Sequence, residues 1–366
     1  MLWFATFLPA LLSAPLQEAP PAWGQRIQWA EESGPPAREH ASFMLDEKRD
    51  RAIMFAGSGY SPYGSPLEDA WAFDLELQIW SNLDVVGDAF TAGGARRVAR
   101  VEGSAYLHGG YDGGMQPIGE LWRMTFTREA VRIESVAQIN PPPPRMLHAF
   151  ACDPKGERFI VFGGGTIEEE WGNTWIGQRE GEAIAWTMLE TIEPNPGMRA
   201  GFAFAHDIST AKLLVCGGQI PNDDDPQAVA FASDLWSIDF LGPDPAWTLL
   251  AEYEPKQFPG RRNPAFVLDQ RTGDMHIWGG TGDGVSALDD LYIVRTREDE
   301  APVERLAQPP AIPTRASCFG VVDASRERAL LGFGNTGQGA FDDLVEIRLR
   351  GTEQAKNAGA KAAPKR

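Results

Sequence analysis

At 366 residues, with 43% hydrophobic content and a net charge of −18, the chain is long enough to bury a sizeable core and too acidic to attract a phosphate backbone. Nucleic acid is therefore not expected as a partner. The 39 Gly, 28 Pro and 12 Trp point to many short strands joined by turns rather than to helices, so an all-β fold is expected.

Residues 1–14, "MLWFATFLPALLSA", are apolar and uncharged, and too short to span a bilayer. They end in the small residues Ser13 and Ala14, so residues 1–19 read as a secretory signal, with a buried N-terminal strand as the alternative. A secreted or periplasmic location follows as an expectation. No later stretch is long enough to be a transmembrane segment. Cys152, Cys216 and Cys318 are scattered, each within an apolar run, which suits small buried hydrophobes better than a disulfide framework or a zinc site.

From residue 22 onward the chain repeats itself. "PPAREHASFMLDEKRDRAIMFAG" (35–57) and "PPPRMLHAFACDPKGERFIVFGG", which ends at Gly164, share an Arg in fourth place, an Asp in twelfth and a terminal Gly. Aligning that glycine gives Gly57, Gly110, Gly164, Gly218, Gly280 and Gly334, at spacings of 53, 54, 54, 62 and 54. Five copies carry an Asp eleven residues earlier (Asp46, Asp153, Asp207, Asp269, Asp323) and an Arg nineteen earlier (Arg38, Arg145, Arg199, Arg261, Arg315). The copy ending at Gly110 lacks the Asp and has Arg96 only fourteen residues back, as a shortened hairpin would.

Each copy reads as an apolar strand, an Asp-opened turn, a second strand such as "FIVFGG", and a glycine pair where backbone packs closely or takes a positive φ. A third strand then carries Trp71, Trp122, Trp175, Trp236 or Tyr292, and a fourth Trp80, Trp186 or Trp247. Four strands per copy fit a propeller blade better than a solenoid turn. The last copy lacks its Trp strand, while "RIQWAEES" places Trp29 nine residues before Arg38. Residues 25–31 are therefore expected to pair with the final copy and close the ring.

The pattern "PPxR…D…FGG…DLW…W" resembles the kelch repeat across residues 22–350, except that the copy ending at Gly334 reads "GFG" where the family has a glycine pair. The resemblance implies a six-bladed β-propeller of kelch type, with residues 351–366 as a disordered basic tail. It implies no single activity, because kelch propellers serve as interaction platforms, as glycan-related enzymes and as copper oxidases.

Chemistry-bearing motifs are sparse. The five histidines, His40, His108, His148, His206 and His276, show no paired metal-ligand spacing, so neither a copper site nor another metal or cofactor is expected. "GGYDGG" (109–114) and "GGTGDG" (279–284) open no helix and read as turns rather than phosphate cradles. "NDDDP" (222–226) reads as a solvated acidic loop, with calcium at Asp223–Asp225 as the alternative. "IEEEWG" (167–172) puts carboxylates, Glu169 among them, beside Trp171, which could stack on a sugar or merely anchor a loop tip.

The resemblance places the repeat arginines near one mouth of the central channel. Arg38, Arg96, Arg145, Arg199, Arg261 and Arg315 either bond neighbouring carbonyls and carboxylates, with Asp69, Asp234 and Asp290 as candidate partners, or present a ring of cations to an anionic ligand. Both remain open from the sequence. The expected function is binding, as a monomer, of a protein or glycan through loops at that mouth, with Arg38, Arg96, Arg145, Arg199, Arg261, Arg315, Glu169 and Trp171 as candidate contacts. The alternative is a sugar-processing enzyme of the epimerase or mutarotase kind; no catalytic residue is assigned, because no nucleophile or matched acid/base pair recurs.

Overall fold

The computed structural model describes residues 23–30, 32–59, 65–190, 192–222, 225, 228–306 and 311–350. Residues 1–19, expected to be a leader, residues 351–366, expected to be a tail, and most of the acidic stretch 222–226 lie outside the described residues. What is described is all-β, built of six antiparallel four-stranded units. The innermost strands of successive units are Ser42–Asp46, Arg97–Val101, Ala149–Cys152, Ala203–Asp207, Ala265–Asp269 and Phe319–Asp323. Each packs beside the innermost strands of the units before and after it, and Phe319–Asp323 packs beside Ser42–Asp46, so the six form a closed ring.

Why the second strands read as unbroken apolar runs is clear from the packing. Both faces of every unit are covered, so alternate side chains serve different neighbours. In Arg51–Phe55, Ile53 and Phe55 face the second unit, while Ala52 and Met54 face the sixth. An apolar cluster fills each of the six junctions between neighbouring units. Burying one such Ile or Phe contributes about 1.5–3 kcal/mol, so the junctions carry most of the folding energy.

The innermost hairpins explain the odd copy. Asp46 pairs with Arg51 across a four-residue loop, and Asp207, Asp269 and Asp323 stand likewise opposite Lys212, Asp274 and Arg328. In the second unit Val101 pairs with Ser104, leaving only Glu102 and Gly103 in the turn. Two residues are lost there, and with them the Asp.

Ring closure uses the strand Trp23–Ile27, which pairs antiparallel with Leu344–Arg348. It lies a few residues earlier than the expected 25–31. Trp29 stands beyond it and packs edge-on against Trp80, with ring centroids 5.4 Å apart. Two outer additions depart from a plain four-strand unit. Trp80–Gly87 runs parallel beside Ala130–Ser135 and joins the first two units into one sheet, and Ala137–Ile139 runs parallel beside Ala183–Met188.

Candidate functional site

At one mouth of the ring the backbone of every unit turns left-handed at the same place. His40, Leu147, Gly201, Asn263 and Ser317 follow their repeat arginine by two residues and have φ between 51° and 66°; Ala95, at 54°, is their counterpart in the second unit. A non-glycine residue pays about 1–2 kcal/mol for this conformation. Hydrogen bonds between units repay it. Ala95 N–H donates to the His40 carbonyl (2.9 Å), His40 to Ser317 (3.2 Å), Ser317 to Asn263 (2.8 Å), Asn263 to Gly201 (2.6 Å) and Gly201 to Leu147 (2.9 Å). Just behind this ring sit the second repeat glycines, all at positive φ; a Cβ on Gly280 would stand 2.6 Å from the Arg262 carbonyl.

The repeat arginines are buried and form a recurring clamp. Nη1 of Arg38, Arg145, Arg199 and Arg261 donates at 2.9–3.0 Å to the carbonyl of the residue before the repeat glycine: Ala56, Gly163, Gly217 and Gly279. Arg315 does the same to Phe333 at 3.3 Å. The guanidinium then grips the residue just before the third strand or, at Asp234, the one that opens it. Arg38 holds Asp69 (2.6 and 2.8 Å), Arg199 holds Asp234 (2.8 and 3.0 Å), Arg261 holds Asp290 (2.5 and 3.3 Å) and Arg315 holds Asp343 (2.6 and 3.3 Å). Trp71 and Trp236 donate their indole N–H to the same carboxylates. Burial opposes ionisation of Asp69 and Asp343, but hydrogen bonds and charge from Arg38 and Arg315 outweigh it and hold both carboxyls below their usual range.

Arg96 does substitute in the second unit, by a different route. It follows the left-handed residue Ala95 by one position instead of preceding it by two, yet Nη1 still reaches the Gly109 carbonyl (3.4 Å) and Nη2 reaches Glu120 (3.2 Å). Arg145 is the exception. Its partner is the neutral Asn173 amide oxygen at 2.9 Å, its Nη2 is buried without a hydrogen bond, and burial lowers its pKa to about 10.

Trp171 belongs to this clamp. Its ring lies under the Arg145 guanidinium at 4.8 Å, as Phe341 lies under Arg315 at 4.1 Å. Its N–H donates to the Gly164 carbonyl, as that of Phe341 donates to Gly334. One face of Trp171 is thus covered by the protein. The backbone N–H of Glu169 caps against the Thr166 hydroxyl, and the Glu169 side chain is exposed on the loop. Its neighbour Glu170 accepts from Gln219, which accepts in turn from Arg262, which donates to the Gly284 carbonyl. Loops of the third, fourth and fifth units are tied together along this rim.

Inside the ring runs an axial cavity of about 420 Å³. It reaches from His40 and Ala95 at the left-handed ring to the exposed Glu47, Arg100, Ile208 and Gln270 at the opposite end. Its wall includes Phe43, Phe150, Phe204, Phe266 and Phe319 from five units, and Arg97 from the second. Farther out, His108 Nδ1 and His148 Nε2 share a buried hydrogen bond of 3.0 Å. The three cysteines are free and buried, and burial raises each thiol pKa, which makes them poor nucleophiles. Among the described residues, no three His, Cys, Asp or Glu side chains converge to hold a metal, and no helix is long and apolar enough to cross a membrane.

No family model matches the chain. It is similar to the dynein alpha chain of the flagellar outer arm of Chlamydomonas reinhardtii, 24% identical over 275 residues, which is 67% of this chain and 5% of that protein. The chain spans a small fraction of the length of the curated relative it matches.

Proposed function

We propose that the six units are blades of a kelch-type propeller, secreted or periplasmic, which recognises a partner protein through the loops at the mouth that carries the arginine clamps. The observation that carries this reading is the character of that rim. Ile167, Val229 and Val285, 64%, 45% and 81% exposed, stand on the loops that follow the glycine pairs of three successive units. Those loops are cross-braced by the chain from Glu170 to Gly284. Aliphatic tips on a braced rim can bury apolar area against a protein at little entropic cost. The most exposed apolar tips of this rim are aliphatic, which suits a protein better than the aromatic platform a sugar stacks on. The clamps also weaken the enzyme alternative, since the arginines it would use at the mouth are engaged with backbone and carboxylates. Similarity to 5% of a very long chain suits a recognition module that recurs in larger assemblies.

The test is site-specific photo-crosslinking in the native compartment. A crosslinker at Ile167 or Val285 should capture one recurrent partner, and one at Leu77, exposed on a turn at the opposite end, should not. Val285→Glu should abolish the capture without lowering the melting temperature. Equal capture from both ends, or binding on a glycan array that Val285→Glu leaves untouched, would overturn the reading.

A further inference from the structure

The axial cavity and the rim are separate places, and the cavity contains a cation that the clamp architecture does not use. Counting from the left-handed ring, the residue two positions on is Ser42, Ala149, Ala203 and Ala265 in four units, Phe319 in the sixth and Arg97 in the second. Of these, Ser42, Arg97 and Phe319 line the cavity, while Ala149, Ala203 and Ala265 pack into the junctions between units. Arg97 extends from the second unit to the fourth, where its guanidinium lies over the Phe204 ring at 5.4 Å.

Among the described residues no carboxylate pairs with Arg97, and its Nε is shielded from solvent without a hydrogen bond. The charges that act nearby are few. Arg97 and Arg262 both bear on His40, and Glu39, the acid beside His40, accepts the Asn335 amide N–H at Oε2. Tyr111 gives its hydroxyl to His40 Nδ1 and Ser58. Burial lowers the Arg97 pKa only to about 10, so the side chain stays cationic at neutral pH. Two more ring nitrogens in the wall, His40 Nε2 and His206 Nε2, are shielded and unpartnered. At the open end Arg100 and Glu47 pair at 3.2 Å, and Arg96, farther along the wall, is paired with Glu120.

We propose that the axial cavity binds a small organic monocarboxylate, entering at the end opposite the arginine clamps, with its carboxylate on Arg97 and its apolar body against the phenylalanines. A guanidinium offers paired N–H donors that match a carboxylate, and the pairing is strongest where water is excluded. One uncompensated cation calls for one negative charge. The volume of about 420 Å³ lies in the usual range of small-molecule sites, roughly 300–1,000 Å³. Five phenylalanines favour an aliphatic or aromatic body over a sugar.

The experiment uses the full chain and a probe set of acetate, hexanoate and phenylacetate with the matching neutral amides, read by thermal shift and calorimetry. Hexanoate or phenylacetate should raise the melting temperature and bind with one-to-one stoichiometry, acetate should bind at least tenfold more weakly, and the amides should have no effect. Arg97→Ser, which installs the residue of the first unit, should abolish the shift and leave the unliganded protein at least as stable as the parent, because it removes a half-buried unpaired charge. Arg97→Lys keeps the charge without the fork and should bind at least tenfold more weakly than the parent, which gives a reading even if the Ser variant folds poorly. Failure of every carboxylate to bind, equal binding of the amides, or full binding by Arg97→Lys would overturn the proposal.

Discussion

Arg145 donates to the amide oxygen of Asn173 at 2.9 Å, in the place where the five other units set a carboxylate against their arginine. The third unit therefore buries a cation whose nearest compensation is the π-face of Trp171. Asn173→Asp should complete the pair without changing side-chain size. The gain expected is about 1 kcal/mol at neutral pH, measured by urea denaturation, because hydrogen bonds to charged groups exceed neutral ones by roughly that much. Loss of stability would mean that the Trp175 indole, which shares the Asn173 oxygen at 3.3 Å, sets the local geometry more tightly than the charge does.

Removing a clamp arginine strands its carboxylate, and the cost depends on how well water can reach it. Asp290 is 7% exposed and, once Arg261 is gone, keeps a 3.7 Å contact from Arg305 and the neutral Tyr292 hydroxyl. Asp69, 28% exposed, can rehydrate. Arg261→Ala should therefore cost about 3–5 kcal/mol, and Arg38→Ala clearly less. Equal losses for the two would show that the carbonyl contacts, which both arginines make, dominate over the charge pair.

Much of this architecture is written in the spacing of the chain. Glycines at a regular interval, each behind an arginine and an aspartate, reflect one packing requirement met six times, so the units, the shortened hairpin and the clamp partners Asp69, Asp234 and Asp290 can be read directly. Glu120 and Asn173 hold the same position with different chemistry, Asp343 holds it before a strand that lacks the aromatic, and all three are found only by counting one residue back from the third strand. Trp171 looks irregular because loop lengths vary, until its N–H bond to Gly164 places it. Arg97 was hidden for a different reason. Beside Arg96 it looks like one more surface cation, and it stands out only once Ala95 is aligned with His40 and the equivalent residues prove to be Ser, Ala or Phe.

Closure of the ring by Trp23–Ile27 ties the two ends of the described chain together. That strand covers the edge of Leu344–Arg348 and contributes Ile27 to the junction between the sixth and first units, against which Trp29 also packs. Deleting residues 1–32 exposes a strand edge and opens that junction. A loss of at least about 4 kcal/mol is expected from the two apolar side chains alone, with aggregation visible by size exclusion. Unchanged thermal unfolding after the deletion would refute the closure.

The buried histidines predict an acid-sensitive fold. Burial, together with the positive charges of Arg145 and Arg96, lowers the pKa of His108 to about 3, and burial with the cations around it holds His148 well below its ordinary value of 6.5. His40, His206 and His276 are lowered as well, chiefly by burial. A histidine kept neutral in the fold and free to protonate in the unfolded chain favours folding fully above pH 6.5. Its contribution is lost progressively as the pH falls from there toward the folded value. Near pH 5 His108 and His148 each take up about one proton on unfolding, and each tilts stability by about 1.4 kcal/mol per pH unit. The clamp carboxylates are also held below their usual range, and because an unfolded Asp protonates only near pH 4, their contribution is lost below this window rather than within it. Urea denaturation between pH 7.5 and 5 should therefore show falling stability, and the double substitution His108→Gln, His148→Gln should remove about two protons' worth of that slope. Parallel pH profiles for parent and variant would mean that the His108–His148 pair is charged in the folded protein, and that the cations around it are offset by a group other than those that face it.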